Sequence, residues 1–147
     1  MAILLFYVSC KSSKELVEDI KEISYYIGNI RIDQNLSNSI IEGTLNYGDD
    51  LKKTGGFEYY QHFCPDDKSL VWLQYSQSTN TNLKENFFYK KNELVYAESY
   101  NPEYENDKKT IFLKNGKLIY ENKSDFTNSE KLIRKGKQFL TEYKKNL

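Results

Sequence analysis

The positions of the hydrophobic residues along this chain follow two different periods. From residue 12 to residue 27, apolar side chains recur every three or four residues, as they do on one face of a helix. Ser12 and Glu15 form the sequence pattern of an N-terminal capping box, and Gly28 is a residue type that commonly ends a helix. The pattern therefore predicts an amphipathic helix over residues 12–27.

The same helical period returns at the end of the chain. Thr127 and Glu130 form a second capping-box pattern, and apolar residues follow at helical spacing as far as Leu147. We therefore predict that a second helix, over residues 127–147, closes the chain.

Between these two helices lies a segment that occurs twice. Residues 88–96, FYKKNELVY, return as residues 112–120, FLKNGKLIY. In each copy an aromatic strand enters a turn of Lys, Asn or Gly and continues as Leu-Val-Tyr or Leu-Ile-Tyr, which predicts a β-hairpin. Residues 57–75 form a third and looser copy, with a longer turn that contains Pro65.

Residues 29–56 have a weaker pattern, in which 30–32 and 40–47 are candidate strands. The β-rich segments from residue 57 to residue 121 follow one another closely, which is typical of an antiparallel meander. We predict an α+β fold, an antiparallel β-meander of about six to eight strands flanked by an N-terminal and a C-terminal helix. Strand alternation predicts that Leu70 and Trp72 share one face of this sheet, opposite Leu73 and Tyr75.

The composition agrees with a β-rich domain, because 15% of the residues are aromatic. The formal net charge is zero, but residues 1–107 contain 10 basic and 17 acidic side chains, whereas residues 108–147 contain 11 and 4. Most of the positive excess falls on the C-terminal helix. We interpret it as a solvated basic face that balances an acidic body, and we do not expect a nucleic-acid partner.

The N-terminus combines an apolar run at residues 2–8 with Ser9 and Cys10. This outline resembles a bacterial lipoprotein signal peptide, in which the chain is cut before a cysteine that becomes lipidated. Tyr7 departs from that pattern, because Leu is usual at this position, and no Lys or Arg precedes the apolar run. We predict a signal segment at residues 1–10, lipidation of Cys10 and a single α+β domain at 11–147.

An alternative interpretation makes the apolar run at residues 2–8 a buried first strand, because pattern alone does not separate the two. The cysteines bear on the same choice. If Cys10 is acylated, Cys64 is a lone thiol, and if it is not, the two could form a disulfide.

Few residues point to catalysis or metal binding. His62, Cys64 and Asp66 alternate, which is a spacing that can hold a metal on a strand. Pro65 interrupts that strand, however, and the chain has no second histidine to complete a ligand set or a catalytic pair. We therefore expect no catalytic residue, no metal and no cofactor, and we expect that the protein is not an enzyme; a small enzyme that uses His62 is the weaker alternative.

Aromatic side chains on the predicted strands are the candidate binding surface. They could form a platform for a glycan, a peptide or a protein. Cross-strand packing beneath a helix is the alternative role for each ring. The candidate rings are Tyr59 (or its neighbour Tyr60), Trp72, Tyr75, Tyr89, Tyr96 and Tyr120.

Three segments, 54–57, 88–95 and 112–119, resemble small uncharacterised secreted or lipoprotein families of Bacteroidetes-type bacteria. In those families a short leader precedes a helix, a Gly-Gly-aromatic strand start, hairpins of the form aromatic-x-x-Asn-Gly-x-Leu and a closing helix. The hairpins also look like variants of MORN repeats. Neither resemblance implies a catalytic site.

These observations lead to one expected function and one alternative. We expect a non-enzymatic, lipid-anchored or secreted bacterial envelope protein of the periplasm or outer membrane. Its aromatic-rich sheet or loops would bind another macromolecule, either a protein or a glycan. The lipid anchor would attach the protein to the membrane. The alternative is a soluble cytoplasmic interaction protein, such as a small immunity or antitoxin-like protein, in which Cys10 would have no lipid.

Overall fold

A computed structural model describes residues 12–147 of the protein. The predicted signal segment and Cys10 lie outside these described residues. In chain order the elements are α1 (Ser13–Ile32), β1 (Ser37–Tyr47), β2 (Lys53–Phe63), β3 (Leu70–Ser78), β4 (Leu83–Lys90), β5 (Glu93–Tyr100), a short 3-10 turn (Glu105–Asp107), β6 (Lys109–Lys114), β7 (Lys117–Glu121) and α2 (Ser129–Lys145).

The strands form one seven-stranded sheet whose spatial order is the order of the chain, and every neighbouring pair is antiparallel. Short connections between successive strands permit only antiparallel pairing. The predicted α+β meander with an N-terminal and a C-terminal helix is therefore confirmed.

The turns of the two repeated hairpins explain why these segments fold locally. Lys91 and Asn92 have φ values of 51° and 62°, and Asn115 and Gly116 have φ values of 53° and 73°. Two consecutive central residues with positive φ are typical of the type I′ turn, whose twist matches that of the two strands it joins. Asn and Gly enter this left-handed region most readily, so the turn chemistry specifies both hairpins.

Each of the three hairpins contains one bulge at an equivalent place. The pairings His62–Trp72 and Phe63–Leu70 leave Val71 as an extra residue, and the same shift leaves Val95 and Ile119 as extra residues in the other two hairpins. These three positions are spaced by 24 residues, since 95 − 71 and 119 − 95 are equal. The looser third copy is therefore a true structural repeat of the other two.

The first bulge corrects one prediction about the faces of β3. Leu70 packs in the same cluster as Leu73 and Tyr75, whereas Trp72 packs on the opposite face. The extra residue Val71 reverses the alternation of side chains beyond it, so Leu70 and Trp72 do not share a face.

Helix α1 starts as predicted but ends later. The Ser12 side chain accepts a hydrogen bond from the Glu15 N–H, which confirms Ser12 as the N-terminal cap. The helix continues through Gly28 to Ile32, so the candidate strand at residues 30–32 was wrong. Ile30 extends the apolar stripe against the sheet, and this tertiary packing outweighs the tendency of Gly28 to end a helix.

Helix α2 begins two residues later than predicted. Asn128, and not Thr127, is its N-terminal cap, because the Asn128 side chain accepts a hydrogen bond from the Lys131 N–H at 3.1 Å. Both residue types are good caps, so sequence alone did not distinguish them. The helix ends at Lys145, leaving Leu147 outside it and exposed.

The two helices cover opposite faces of the sheet. Ile23 and Ile27 of α1 pack on Phe88 and Phe112, and α2 packs on the other face. Burying a side chain of this size contributes roughly 2 kcal/mol to the free energy of unfolding. The buried side chains of the larger cluster, on the α2 face, are Leu70, Leu73, Tyr75, Phe87, Tyr89, Leu94, Ala97, Ile111, Leu113, Leu132, Phe139, Leu140 and Tyr143.

Coverage by the helices is uneven along the sheet. Strand β4 has five buried residues and β5 has six, whereas β1 and β2 have none. Strand β2 reaches only the edge of the α2 cluster, where Tyr59 contacts Phe139, and β1 lies outside both clusters. In the described part of the chain, neither helix combines the length and the apolar character that crossing a membrane requires.

Candidate functional site

The structure divides the six predicted rings between the two faces of the sheet. Tyr59, Tyr75 and Tyr89 pack with the cluster beneath α2. Trp72 and Tyr96 pack beneath α1, and Tyr120 lies beside Phe112 on that same face, with its ring exposed. These six rings therefore do not form one continuous surface.

Three of the six rings are buried in the core. Tyr75, Tyr89 and Tyr96 are each less than a tenth exposed. The Tyr89 hydroxyl donates to the Gly136 carbonyl oxygen at 2.8 Å and so links β4 to α2. Burial raises the pKa of Tyr75 to about 12 and also raises the pKa of Tyr89, because the charged phenolate is poorly solvated there. These three rings stabilise the fold.

A row of aromatic side chains nevertheless crosses the α1 face. It has one ring on each strand from β2 to β7, because the strand register places these residues opposite one another. Neighbouring ring centroids are between 4.5 Å and 5.8 Å apart, which is the range of favourable aromatic contacts. The row consists of His62, Trp72, Phe88, Tyr96, Phe112 and Tyr120.

Beside this row, the buried carboxylate of Glu98 accepts hydrogen bonds from three side chains and forms an ion pair with a fourth, Lys108. Arg31 and Asn86 donate to Oε1, both at 3.0 Å. Tyr96 donates to Oε2 at 2.7 Å, and the Lys108 ammonium lies 3.2 Å from the same oxygen. These donors satisfy both oxygens of the buried carboxylate.

The Glu98 cluster also fixes the side chains next to it. Burial, followed by the negative charge of Glu98, raises the pKa of Tyr96, so this hydroxyl remains a neutral donor. The Trp72 Nε1–H donates to Oδ1 of Asn86 at 3.0 Å, which orients the Asn86 amide. Arg31 additionally lies over the Phe88 ring, 5.4 Å from its centroid. The end of α1 is thereby attached to the sheet.

An open groove lies on the α1 face beyond this cluster, where the helix has ended. A cavity of about 210 Å³ there continues into a larger one of about 600 Å³, and the two share Glu58, Ser76 and Lys84. We call this region the sheet groove and define it by Glu58, Tyr60, Gln74, Ser76, Lys84, Asn86 and Tyr100.

The sheet groove combines aromatic rings with hydrogen-bonding groups. Tyr60 on β2 and Tyr100 on β5 lie at its two sides, because strands β3 and β4 run between them. Gln74 and Asn86 are in its floor, and each amide is held by a hydrogen bond, to His62 at 3.1 Å and to Trp72 at 3.0 Å respectively. Such a surface can stack on a ligand and also donate and accept hydrogen bonds.

A second polar cluster lies on the opposite face, beneath α2. The Lys135 ammonium forms an ion pair with the buried Glu85 carboxylate, and it lies 3.9 Å from the centroid of the Tyr75 ring. Ser99 donates to the other oxygen of Glu85 at 3.1 Å. This cluster attaches α2 to the sheet as the Glu98 cluster attaches α1, and a cavity of about 330 Å³ adjoins it.

The residues His62, Cys64 and Asp66 do not come together. His62 stacks on Trp72 with 4.5 Å between the ring centroids, whereas Cys64 and Asp66 are in the turn after β2. Cys64 is half-buried and has no disulfide bond to any residue from 12 to 147. Within that same range, no group of three His, Cys, Asp or Glu side chains is placed to hold a metal ion.

No protein-family model, curated protein or solved structure matches this chain. The resemblance to secreted and lipoprotein families of Bacteroidetes-type bacteria, and to MORN variants, therefore stays a prediction.

Sequence reasoning missed part of this site. Tyr100 and Lys84 belong to the sheet groove, and Arg31 belongs to the cluster beside it. Arg31 was assigned to a strand and not to a helix, so its approach to Glu98, 67 residues away, was not foreseeable. Alternation along β2 to β5 was the available signal for the groove, because it places Tyr60, Gln74 and Asn86 on one face.

Proposed function

We propose that this protein is a non-enzymatic binding protein of the bacterial envelope, and that the sheet groove holds a glycan. The observation on which this proposal rests is the groove itself, where tyrosine rings stand beside fixed amides on a part of the sheet that α1 leaves open. Attachment to the membrane through lipid on Cys10 is the second part of the proposal.

The chemistry of the lining favours a glycan over a protein in this groove. A sugar presents C–H faces that stack on aromatic rings, and hydroxyl groups that both donate and accept hydrogen bonds. Tyr60 and Tyr100 supply rings, Gln74 and Asn86 supply amides, and Glu58 supplies an acceptor. The core of a protein interface is usually apolar, which this floor is not.

The state of Glu98 supports a binding role without catalysis. Its two oxygens accept hydrogen bonds from Arg31, Asn86 and Tyr96 and lie beside Lys108. A general base needs a lone pair that is available to the proton it removes. Both oxygens of Glu98 are already occupied by these donors, so the carboxylate beside the groove is a structural acceptor that keeps the Asn86 amide in place.

Binding to purified bacterial envelope polysaccharides and peptidoglycan fragments, presented as an array, tests the groove. We expect retention of at least one glycan, and we expect Tyr60→Ala or Glu58→Gln to weaken it about tenfold or more. Tyr25→Ala is the matched control, since Tyr25 is 75% exposed on α1. Retention that is equal in all four proteins, or retention of no glycan, would contradict the proposal.

Intact mass spectrometry of the full-length chain, expressed in a related bacterium beside Cys10→Ala, tests the anchor. We expect a mature chain that begins at Cys10 and has added acyl mass, with no acylation of the variant. A chain that begins at Met1 or Ala2 would contradict the anchor and favour a cytoplasmic interaction protein of the immunity or antitoxin type.

A further inference from the structure

Strand β1 lies at one edge of the sheet, and among the described strands only β2 pairs with it. Its 11 residues run beside β2 without any shift of register. An edge strand presents a row of backbone N–H and C=O groups to solvent and is therefore a template for another strand.

The sequence of β1 lacks the usual protection against such pairing. Proteins commonly protect an edge with Lys, Pro, a bulge or a short strand. The segment SNSIIEGTLNY contains no Lys, Arg or Pro, and Glu42 is its one charged residue. The opposite edge, β7, has five residues, a bulge at Ile119 and charged residues at both ends, Lys117 and Glu121.

Both faces of β1 are open. Ile40 and Ile41 are 50% and 44% exposed, and successive residues of a strand point to opposite faces. On the α2 face the helix reaches as far as β2, where the Phe139 ring lies 5.2 Å from that of Tyr59, but neither core cluster contains a residue of β1. The outer edge of β1 is therefore open to a strand from another molecule.

We propose that β1 pairs antiparallel with β1 of a second copy of this chain, about a two-fold axis at Gly43. This register places Ile41 opposite Leu45 and Glu42 opposite Thr44, and it uses nine residues of each strand, 39–47. An axis at Glu42 would place two carboxylates directly opposite each other, which is unfavourable. The pairing joins two seven-stranded sheets into one and uses none of the residues that define the sheet groove, although Glu42 and Gly43 also line the larger cavity that adjoins the groove.

The same register continues the side-chain rows of the sheet. Ile41 lies opposite Tyr59, which lies opposite Tyr75, so an apolar row already ends at this edge. Leu45 of the second copy would extend the row by one strand and cover the exposed part of Ile41. Cross-strand apolar pairs of this kind stabilise sheet pairing.

Sedimentation equilibrium of the full-length chain carrying Cys10→Ala, which cannot be acylated, tests this pairing. We expect a monomer–dimer equilibrium, and we expect Ile41→Lys to raise the dimer dissociation constant about tenfold or more, because edge lysines oppose strand addition. Leu118→Lys is the matched control: Leu118 is 39% exposed on β7, at the other edge, and the dissociation constant should not change.

Ile40→Lys, on the other face of β1, is a second variant that should act in the same direction. Circular dichroism of each variant checks that the monomer is folded. A chain that stays monomeric at every concentration would overturn self-pairing and leave the edge to a strand of a different protein. A dimer that Ile40→Lys and Ile41→Lys leave intact, or that Leu118→Lys weakens equally, would overturn the assignment to β1.

Discussion

The β4–β5 hairpin and the β1–β2 hairpin belong to one sheet but differ in what covers them. Both are antiparallel, yet 11 of the 16 residues of β4 and β5 are buried, whereas β1 and β2 have no buried residue. An isolated two-stranded hairpin is only marginally stable in water. Stability in this sheet therefore comes mainly from burial beneath the helices, and the β1–β2 hairpin depends for its order on β3 and on the contact of β2 with the edge of α2.

This difference also separates stability from recognition. The open edge of β1 lies on the uncovered side, and the sheet groove runs from β2 to β5 on the part of the sheet beyond α1, so exposed groups at both places are available to a ligand. The buried ion pairs of Glu85 and Glu98 lie towards the covered side, where they attach the helices. Substitutions on the covered side should therefore change mainly the free energy of unfolding, and substitutions on the uncovered side should change mainly the binding of a ligand.

The largest contrast is expected between two phenylalanines. Phe87 is completely buried on β4, so Phe87→Ala should lower the free energy of unfolding by about 4 kcal/mol. Phe57 on β2 is half-buried, with its ring against Gly43, so Phe57→Ala should cost about 1.5 kcal/mol. Denaturant unfolding followed by circular dichroism measures both values.

Hydrogen exchange on the unmodified protein provides the control for this contrast. Amides of β4 and β5 should exchange only by global opening, and those of β1 should exchange by local opening. Equal losses of stability in the two variants, together with uniform protection, would show that the hairpins are equally supported.

A smaller contrast is expected at alkaline pH. Burial raises the pKa of Tyr75 and of Tyr26 to about 12, from an ordinary value near 10. Below pH 10 both tyrosines are protonated whether the chain is folded or unfolded, so stability is unaffected. As pH rises from about 10 towards 12 the unfolded state loses these protons first, and the free energy of unfolding decreases.

Denaturant unfolding at about pH 9 and pH 11 measures this decrease. Tyr75→Phe should reduce the difference between the two pH values, although it also removes the hydrogen bond of 2.7 Å from Tyr75 to Gln77. Tyr25→Phe, at an exposed tyrosine, is the control and should leave the difference unchanged. A pH dependence that survives Tyr75→Phe in full would mean that other groups produce it.

The smallest effects are expected at two helical glycines. A Cβ at Gly136 would lie 2.7 Å from Phe87 and 2.8 Å from Leu94, so Gly136→Ala should cost about 1 kcal/mol despite the better helix propensity of Ala. A Cβ at Gly28 would meet nothing within 4 Å, so Gly28→Ala should add about 0.8 kcal/mol. Opposite signs in thermal unfolding would confirm that α2 approaches the sheet closely. Stabilisation by both substitutions would contradict that close approach.

The repeated hairpins were predictable because their turns are local. Lys91-Asn92 and Asn115-Gly116 determine a turn type by themselves, and the strands follow from it. The bulges were not predictable, because a bulge depends on the pairing of two strands, and Val71 therefore reversed the face expected for Leu70. The end of α1 was missed for a similar reason, since packing of Ile30 on the sheet decides it.

The candidate site was less accessible to sequence reasoning than the fold. Aromatic positions on strands were recognisable, but their division between the two faces depends on which helix covers each face. Tyr75 and Tyr96 are buried for this reason, although their sequence context resembles that of Tyr60. The groove exists because α1 ends at Ile32. A local sequence pattern does not show how much of the sheet a helix will cover.

The spacing of 24 residues between the three bulges has a consequence for the gene. The bulge and the aromatic residue after it recur every 24 codons in all three hairpins, so recombination between two copies would add or remove one hairpin in frame. Each such event would change the width of the sheet by two strands and preserve the alternation of its faces. The number of strands in the sheet can thus change by inheritance while the two terminal helices stay the same.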